Sequence, residues 1–271
     1  MNRTLDLAVA DRIATVTLDR PATRNAMSAE LMQEMIACAA ALAARADVDA
    51  VIVRGAGGCF SAGADLKDAR RWADGDAPLA ERRLIASLGY RMARAWEELP
   101  QVTIAAIEGY AIGGGLALAL ALDWRVIARD AYVWLPEIAL GIPLTWGTLP
   151  RLVNLAGPAN AKRLAMLCER VPARAALAFG IVDWLAPPGR ATAQARRIAA
   201  RALALPQTSL RMTKESIHAY STIGAHAASH MAHDQVQLAA ASAEARAARE
   251  AFLLRAKKAA TRARSRVRPA R

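Results

Sequence analysis

The runs Cys59-Phe-Ser-Ala-Gly-Ala-Asp-Leu66 and Ile107-Glu-Gly-Tyr-Ala-Ile-Gly-Gly-Gly-Leu116 decide how this chain is read. In each, an apolar strand breaks into glycines, and a backbone stripped of side chains leaves N–H groups open to an anion. The second run leads into Leu116–Leu122, an apolar helix whose first N–H groups lack intrahelical partners and whose dipole is positive at that end. Neither run closes with the Gly-Lys-Ser/Thr of a nucleotide P-loop, and no Gly-x-Ser-x-Gly nucleophile elbow occurs.

Composition narrows the class. A chain of 271 residues with 55% hydrophobic content buries a sizeable core and reads as one large domain. The longest apolar run, Ala111 to Leu122, contains three glycines and is far shorter than the ~20 residues a bilayer requires. The start, Met-Asn-Arg-Thr-Leu-Asp-Leu, has no apolar signal core, so a cytoplasmic protein is expected, with no membrane association. Cys38, Cys59 and Cys168 are odd in number and lie in apolar runs, as reduced core thiols do, and the four histidines all fall between His218 and His233, a poor basis for a metal centre. The net charge of +12 is a property of the end: after Glu250 come eight cations and no acid, which leaves +4 for the rest. That tail reads either as a solvated end or as a patch for an anionic partner such as RNA or a lipid surface, without aromatic residues for base stacking.

The pattern along the chain predicts a hairpin over Leu5–Leu18 broken at Asp11-Arg12, then a helix capped by Ser28 with apolar residues at the 3.6 period. Strands are expected at 50–54, 102–107, 126–128 and 132–135, with a loop or frayed helix at 68–78, a helix at 81–98 and another at 116–122. After Pro158 helices are expected at 159–168, 173–180, 191–204, 207–221 and 226–257. Strands alternating with helices imply an α/β core with parallel pairing and right-handed crossovers. The expected division is a core over 1–200, a helical region over 201–257 and a disordered basic tail over 258–271. In the C-terminal helices Met231, Val236, Leu238 and Phe252 need a surface to cover them.

Seven pieces in order resemble the crotonase superfamily, the enoyl-CoA hydratase/isomerase family: Leu18-Asp-Arg-Pro21 with Arg24-Asn-Ala-Met27, Phe60–Leu66, Glu108–Gly115, Asp123-Trp-Arg125, Pro136–Ile142, Gly147–Leu152 and Phe179-Gly-Ile-Val-Asp183. The resemblance covers Leu5 to about Leu254. It implies a crotonase-like ββα superhelix core, a helical C-terminal trimerisation region, a homotrimer or dimer of trimers, and an acyl-CoA thioester substrate from fatty acid metabolism. No cofactor is implied, since coenzyme A belongs to the substrate. By resemblance the N–H groups of Ala62 and Gly114 form an oxyanion hole for the thioester enolate, and Glu137 is the acid–base residue. Arg24, Ala26, Ala64, Asp65 and Leu66 match coenzyme A contacts. Lys67 stands either near a phosphate or in solvent, and Lys214 matches a lysine that in such assemblies lies near a neighbour's coenzyme.

One departure separates the reactions open to this site. Family hydratases use two glutamates, and the first of those positions is Ala117 here. Holding a water for addition is helped by two carboxylates, whereas moving one proton between the α and γ carbons needs one. The residues therefore favour 3-enoyl-CoA to 2-enoyl-CoA isomerisation over hydration, with thioester hydrolysis on the same site also open. Thr145 stands where the dienoyl-CoA isomerases carry a further carboxylate, Trp146 either lines the acyl pocket or packs in the core, and Asp123 reads as a tie for Arg125 or backbone. Glu97 and Tyr90 are the residues that could replace the missing carboxylate. A non-catalytic acyl-CoA- or RNA-binding protein is the reading of another class; nucleic acid would bind only through the tail.

Overall fold

The computed structural model describes residues 4–72, 78–229 and 232–266. The chain opens with the expected hairpin, β1 (Leu5–Ala10) and β2 (Ile13–Leu18), joined by Asp11 and Arg12 with φ of 53° and 62°. Positive φ at both turn residues matches the right-handed twist of the flanking strands. Ser28 then caps α1 (Ala29–Ala43), its Oγ accepting from Leu31 N–H at 3.2 Å. Next come β3 (Ala50–Gly55), α2 (Ala69–Trp72), α3 (Leu79–Glu97), β4 (Val102–Ile107), β5 (Tyr110–Ile112), α4 (Gly114–Leu120), β6 (Trp124–Ala128) and β7 (Tyr132–Trp134). A 3-10 turn over Ile138–Leu140 precedes α5 (Thr148–Met166), β8 (Arg170–Pro172), α6 (Ala173–Ala178), β9 (Trp184–Ala186), α7 (Ala191–Leu203) and α8 (Gln207–Ser221). The chain ends in α9 (Ala225–Ala228), α10 (Ala232–Ala240) and α11 (Ala243–Arg266).

Two sheets result. The larger has the order β1-β2-β3-β4-β6-β9, parallel throughout except for the opening hairpin. Its central strands are apolar on both faces: Val51 and Val53 join the core under α1 and α3, while Ala50 and Ile52 face α7. Burial on both sides explains why β3 and β4 read as continuous apolar runs. In the smaller sheet, β5-β7-β8, β5 runs into α4 and β7 into the segment bearing Glu137.

Several expectations need correcting. The helix expected at 159–168 begins at Thr148 and bends at Gly157, whose φ of 72° and ψ of 163° accommodate the following Pro158. The single helix expected over 226–257 is three helices. Strands β5, β8 and β9 are three residues each, too short for an alternation to register. The region after Pro158 is accordingly not wholly helical. Helix α11 continues to Arg266, into the stretch expected to be disordered. Met231 and residues 267–271 of the tail lie outside the described residues.

Candidate active site

Residues 24–27 and 59–66 meet as two irregular strands. Ala62 N–H donates to Arg24 O at 2.9 Å, Met27 N–H to Gly63 O at 2.7 Å, and Asp65 N–H to Met27 O at 3.1 Å. Asn25 secures the crossing, accepting from Arg20 N–H and donating to Ala56 O and Cys59 O, while Ser61 Oγ donates to Asn25 O at 2.7 Å. Gly63 N–H donates to Ser61 Oγ at 3.1 Å.

These bonds correct one expectation. The N–H of Ala62 is spent on Arg24 and is not available to an oxyanion. Extended backbone points successive amides to opposite sides, so a run that gives Gly63 O and Asp65 N–H to Met27 turns the Ala64 N–H away from it. Among the described residues Ala64 N–H has no acceptor. The sequence signal was the glycine itself: Gly63, at φ of 88°, redirects the chain so that Ala64 follows it into the open.

The second run comes to the same place. Gly113 N–H is held by Trp134 O at 2.8 Å, and α4 begins at Gly114, whose N–H, at the first helical position, has no intrahelical acceptor. A Cβ on Gly63 would lie 2.7 Å from Ile112 O and 3.4 Å from Gly114 N, so the two glycine runs approach backbone to backbone. Gly113 is required for two reasons. Its φ is 50°, and a Cβ there would lie 2.6 Å from Glu137 Oε1. Two free amides and one carboxylate thus border one spot.

Glu137 follows Leu135-Pro136 and opens the 3-10 turn, its carbonyl accepting from Leu140 and Ile142 N–H. Its Oε2 is buried without a hydrogen-bond partner among the described residues. Burial pushes the carboxyl pKa up to about 7, opposed only by its own backbone N–H. A carboxyl poised there can both take and return a proton near neutral pH.

The comparisons with known proteins bear directly on this arrangement. A model of the family described as Enoyl-CoA hydratase/isomerase matches residues 9–260. The chain belongs to that family. It is 36% identical over 205 residues to the probable enoyl-CoA hydratase EchA17 of Mycobacterium tuberculosis, covering 76% of each chain. It is 31% identical over 208 residues to the short-chain-enoyl-CoA hydratase of Clostridium acetobutylicum, covering 76% of this chain and 78% of that one. Among solved structures it resembles an enoyl-CoA hydratase/isomerase from Xanthobacter autotrophicus Py2, with 31% identity, TM-score 0.84 and the whole of both chains covered.

The remaining expected residues of this hydratase/isomerase fold fall into three groups. Arg24 and Lys67 are exposed, and Ala64 and Leu66 are half-buried beside Gly63, so these four are brought together at the mouth of the site. Two expected coenzyme contacts are occupied internally. Asp65 pairs with Arg20 at 3.0 Å and accepts from Lys67 N–H, and the Ala26 carbonyl takes both Arg20 Nη1 and Ser28 N–H. Arg20, which the sequence reading passed over, therefore fastens both halves of the entrance. Lys214 is elsewhere: its ammonium donates to Asp123 Oδ2 and Gln101 O, both at 2.7 Å. Within this chain its ammonium is held in an ion pair with Asp123.

Asp123 does tie backbone, accepting from Thr103 N–H at 2.8 Å, but Arg125 is held by Asp183 and Leu122 O instead. Glu97 is no substitute carboxylate, because Arg151 Nε and Nη2 both bind it at 2.7 Å in a buried pair. Ala117 is buried one turn into α4, and Thr145 is half-buried with its carbonyl capped by Thr148. Trp146, 7% exposed and at φ of 60°, lays its indole over both Gly89 on α3 and Gly114, where a methyl group on either glycine would overlap the ring.

Proposed function

We propose that the protein isomerises 3-enoyl-CoA thioesters to the 2-enoyl isomers. The observation that carries this reading is a single uncommitted buried carboxylate beside two free amides: Glu137 with Ala64 N–H and Gly114 N–H. In this reading the thioester oxygen accepts from both amides, which stabilise the negative charge that develops when the α C–H bond breaks. Glu137 takes the α proton, the electron pair shifts through the dienolate, and the same carboxyl returns the proton at the γ carbon. Substrate proton count is unchanged, and no water takes part. Ala117 supplies no second carboxylate, and Arg151 withholds Glu97. The hydratase names of the relatives favour a second reading, in which the same site adds water to a 2-enoyl-CoA.

The deciding experiment follows conjugated enoyl thioester absorbance with wild type and Glu137→Gln on both substrates. Conjugation gained from 3-enoyl-CoA, and reduced ~10²–10⁴-fold by the substitution, is expected. Consumption of 2-enoyl-CoA without isomerase activity would transfer the proposal to hydration.

The proposed assembly is a homo-oligomer. Helix α8 has no buried residue and leaves Met212, Ile217 and Tyr220 exposed, an unusual outlay of apolar surface for a single chain. A sedimentation mass equal to three or six chains is expected; a mass of one chain would refute it.

A further inference from the structure

Helix α11 is shielded from solvent along one stripe. Ala245 is buried and Ala248, Arg249 and Phe252 are half-buried, while the other residues from Ala243 to Leu254 are exposed. Their spacing of three, four and seven puts these four on one face of the helix. The two ends of the stripe meet residues that flank Glu137. Phe252 lies against Trp134, with ring centroids 6.1 Å apart, and Ala245 seats on Gly141, where a Cβ would come within 2.5 Å of the Ala245 Cα. Both contacts lead to the acid. Trp134 O accepts from Gly113 N–H at 2.8 Å, and Gly113 is the residue against which Glu137 Oε1 lies. On the other side Gly141 N–H donates to Ile138 O at 2.9 Å and Ile142 N–H to Glu137 O at 3.1 Å, so a shift at Gly141 is passed to the backbone of the acid. The helix is itself fastened. Ser242 Oγ accepts from Ala245 N–H at 3.0 Å, and α10 is held to α3 by Arg83, whose Nε and Nη2 donate to the two oxygens of Asp234 at 2.9 and 3.1 Å.

We propose that Ala245 and Phe252 are positioning residues: through Gly141 and Trp134 they hold the segment between, and with it the Glu137 carboxyl, in its buried place beside the free amides. The proposal rests on the reading of Glu137 as the acid–base residue. Neither side chain can exchange a proton, so their effect on the chemical step passes through the placement of the acid. Placement is worth much, since a displacement of about 1 Å at a reacting group can cost on the order of 10²-fold in rate. Of the charged side chains on the elements that meet here, Arg246 donates to Ala241 O, Arg170 of β8 lies over the Trp134 ring, and Arg249 stands within the stripe. The raised pKa of Glu137 comes from burial and not from a neighbouring charge, so its titration reports how well the segment stays closed to water.

The test compares wild type with Phe252→Ala, Phe252→Tyr, Ala245→Leu and Leu254→Ala, each checked for folding by circular dichroism. Leu254 is exposed on the opposite face of α11. With 3-enoyl-CoA, kcat should fall ~10-fold or more in Phe252→Ala and Ala245→Leu while KM stays close to wild type. Phe252→Tyr, which keeps the ring, should recover most of the loss, and Leu254→Ala should match wild type. A second readout needs no turnover. Glu137→Gln is combined with each variant, and the stability gained over the parent is followed with pH. In the wild-type background that gain should level off near pH 7. In Phe252→Ala and Ala245→Leu it should level off about 1 pH unit lower or more, because water then reaches the carboxyl. A rise in KM with kcat kept, an equal loss in Leu254→Ala, or an unmoved levelling pH in the folded variants would overturn the proposal. Absence of any pH-dependent difference between wild type and Glu137→Gln would instead remove the reading of Glu137 on which it rests.

Discussion

Two buried carboxylates, Glu137 and Asp123, lie at opposite fates. Burial opposes ionisation of both. At Asp123 that penalty is overcome by a hydrogen bond from His218 and by the charge and hydrogen bond of Lys214, with Thr103 N–H adding to them, so the carboxyl is held below its usual pKa. At Glu137 no such partner is supplied, and the pKa climbs to about 7. Partners, more than depth, decide whether a buried acid is a strut or a proton carrier. The strut joins β4, the residue before β6 and α8, through Thr103, Asp123 and Lys214. Glu137 is left beside glycines that bring no donor to its Oε2.

The sharpest break in this comparison is Asp123→Ala. It strands the Lys214 ammonium in a buried setting and should cost about 3–5 kcal/mol of stability, measured by chemical denaturation. A loss under ~1 kcal/mol would mean the ion pair is not structural. Glu137→Gln should behave in the opposite sense. Because the folded pKa of Glu137 is raised, its contribution is complete below the unfolded value and disappears as pH climbs through about 7. At pH 8 the wild type carries a buried, unpartnered charge that the glutamine lacks, and the variant should be the more stable there by up to about 3 kcal/mol. Near pH 4 the difference should vanish. A variant that is less stable at pH 8 would show that Glu137 has a partner after all. The smallest and most specific effect is on rate: a base must be deprotonated, so kcat/KM should rise with pH to a plateau, with its midpoint near 7. A midpoint in the ordinary carboxylate range near 4 to 5 would place the working base elsewhere.

Much of this was legible in the chain. The Ser28 cap, the Asp11-Arg12 hairpin and the doubly apolar β3 and β4 are local patterns, and each became the expected element. Glu137 stood out because it is an acid amid apolar neighbours. The two free amides were half legible. Gly114 follows from helix geometry, since a first-turn N–H is unpaired wherever the helix starts. In the other run the free amide is that of Ala64 and not of Ala62, because which amide is free depends on the Arg24 and Met27 backbone lying alongside, a pairing between segments distant in sequence. The partner of Lys214 was illegible for the same reason: a lysine in a helix does not announce that Asp123 waits opposite it.

What the sequence alone determined, then, is where the backbone bends and where it is bare, because glycine, proline and capping residues act on their own neighbours. Which polar groups remain unspent was settled only in the tertiary structure. A hydrogen bond or an ion pair needs two partners, and for Ala62, Lys214 and Glu97 the second partner arrives from another part of the chain.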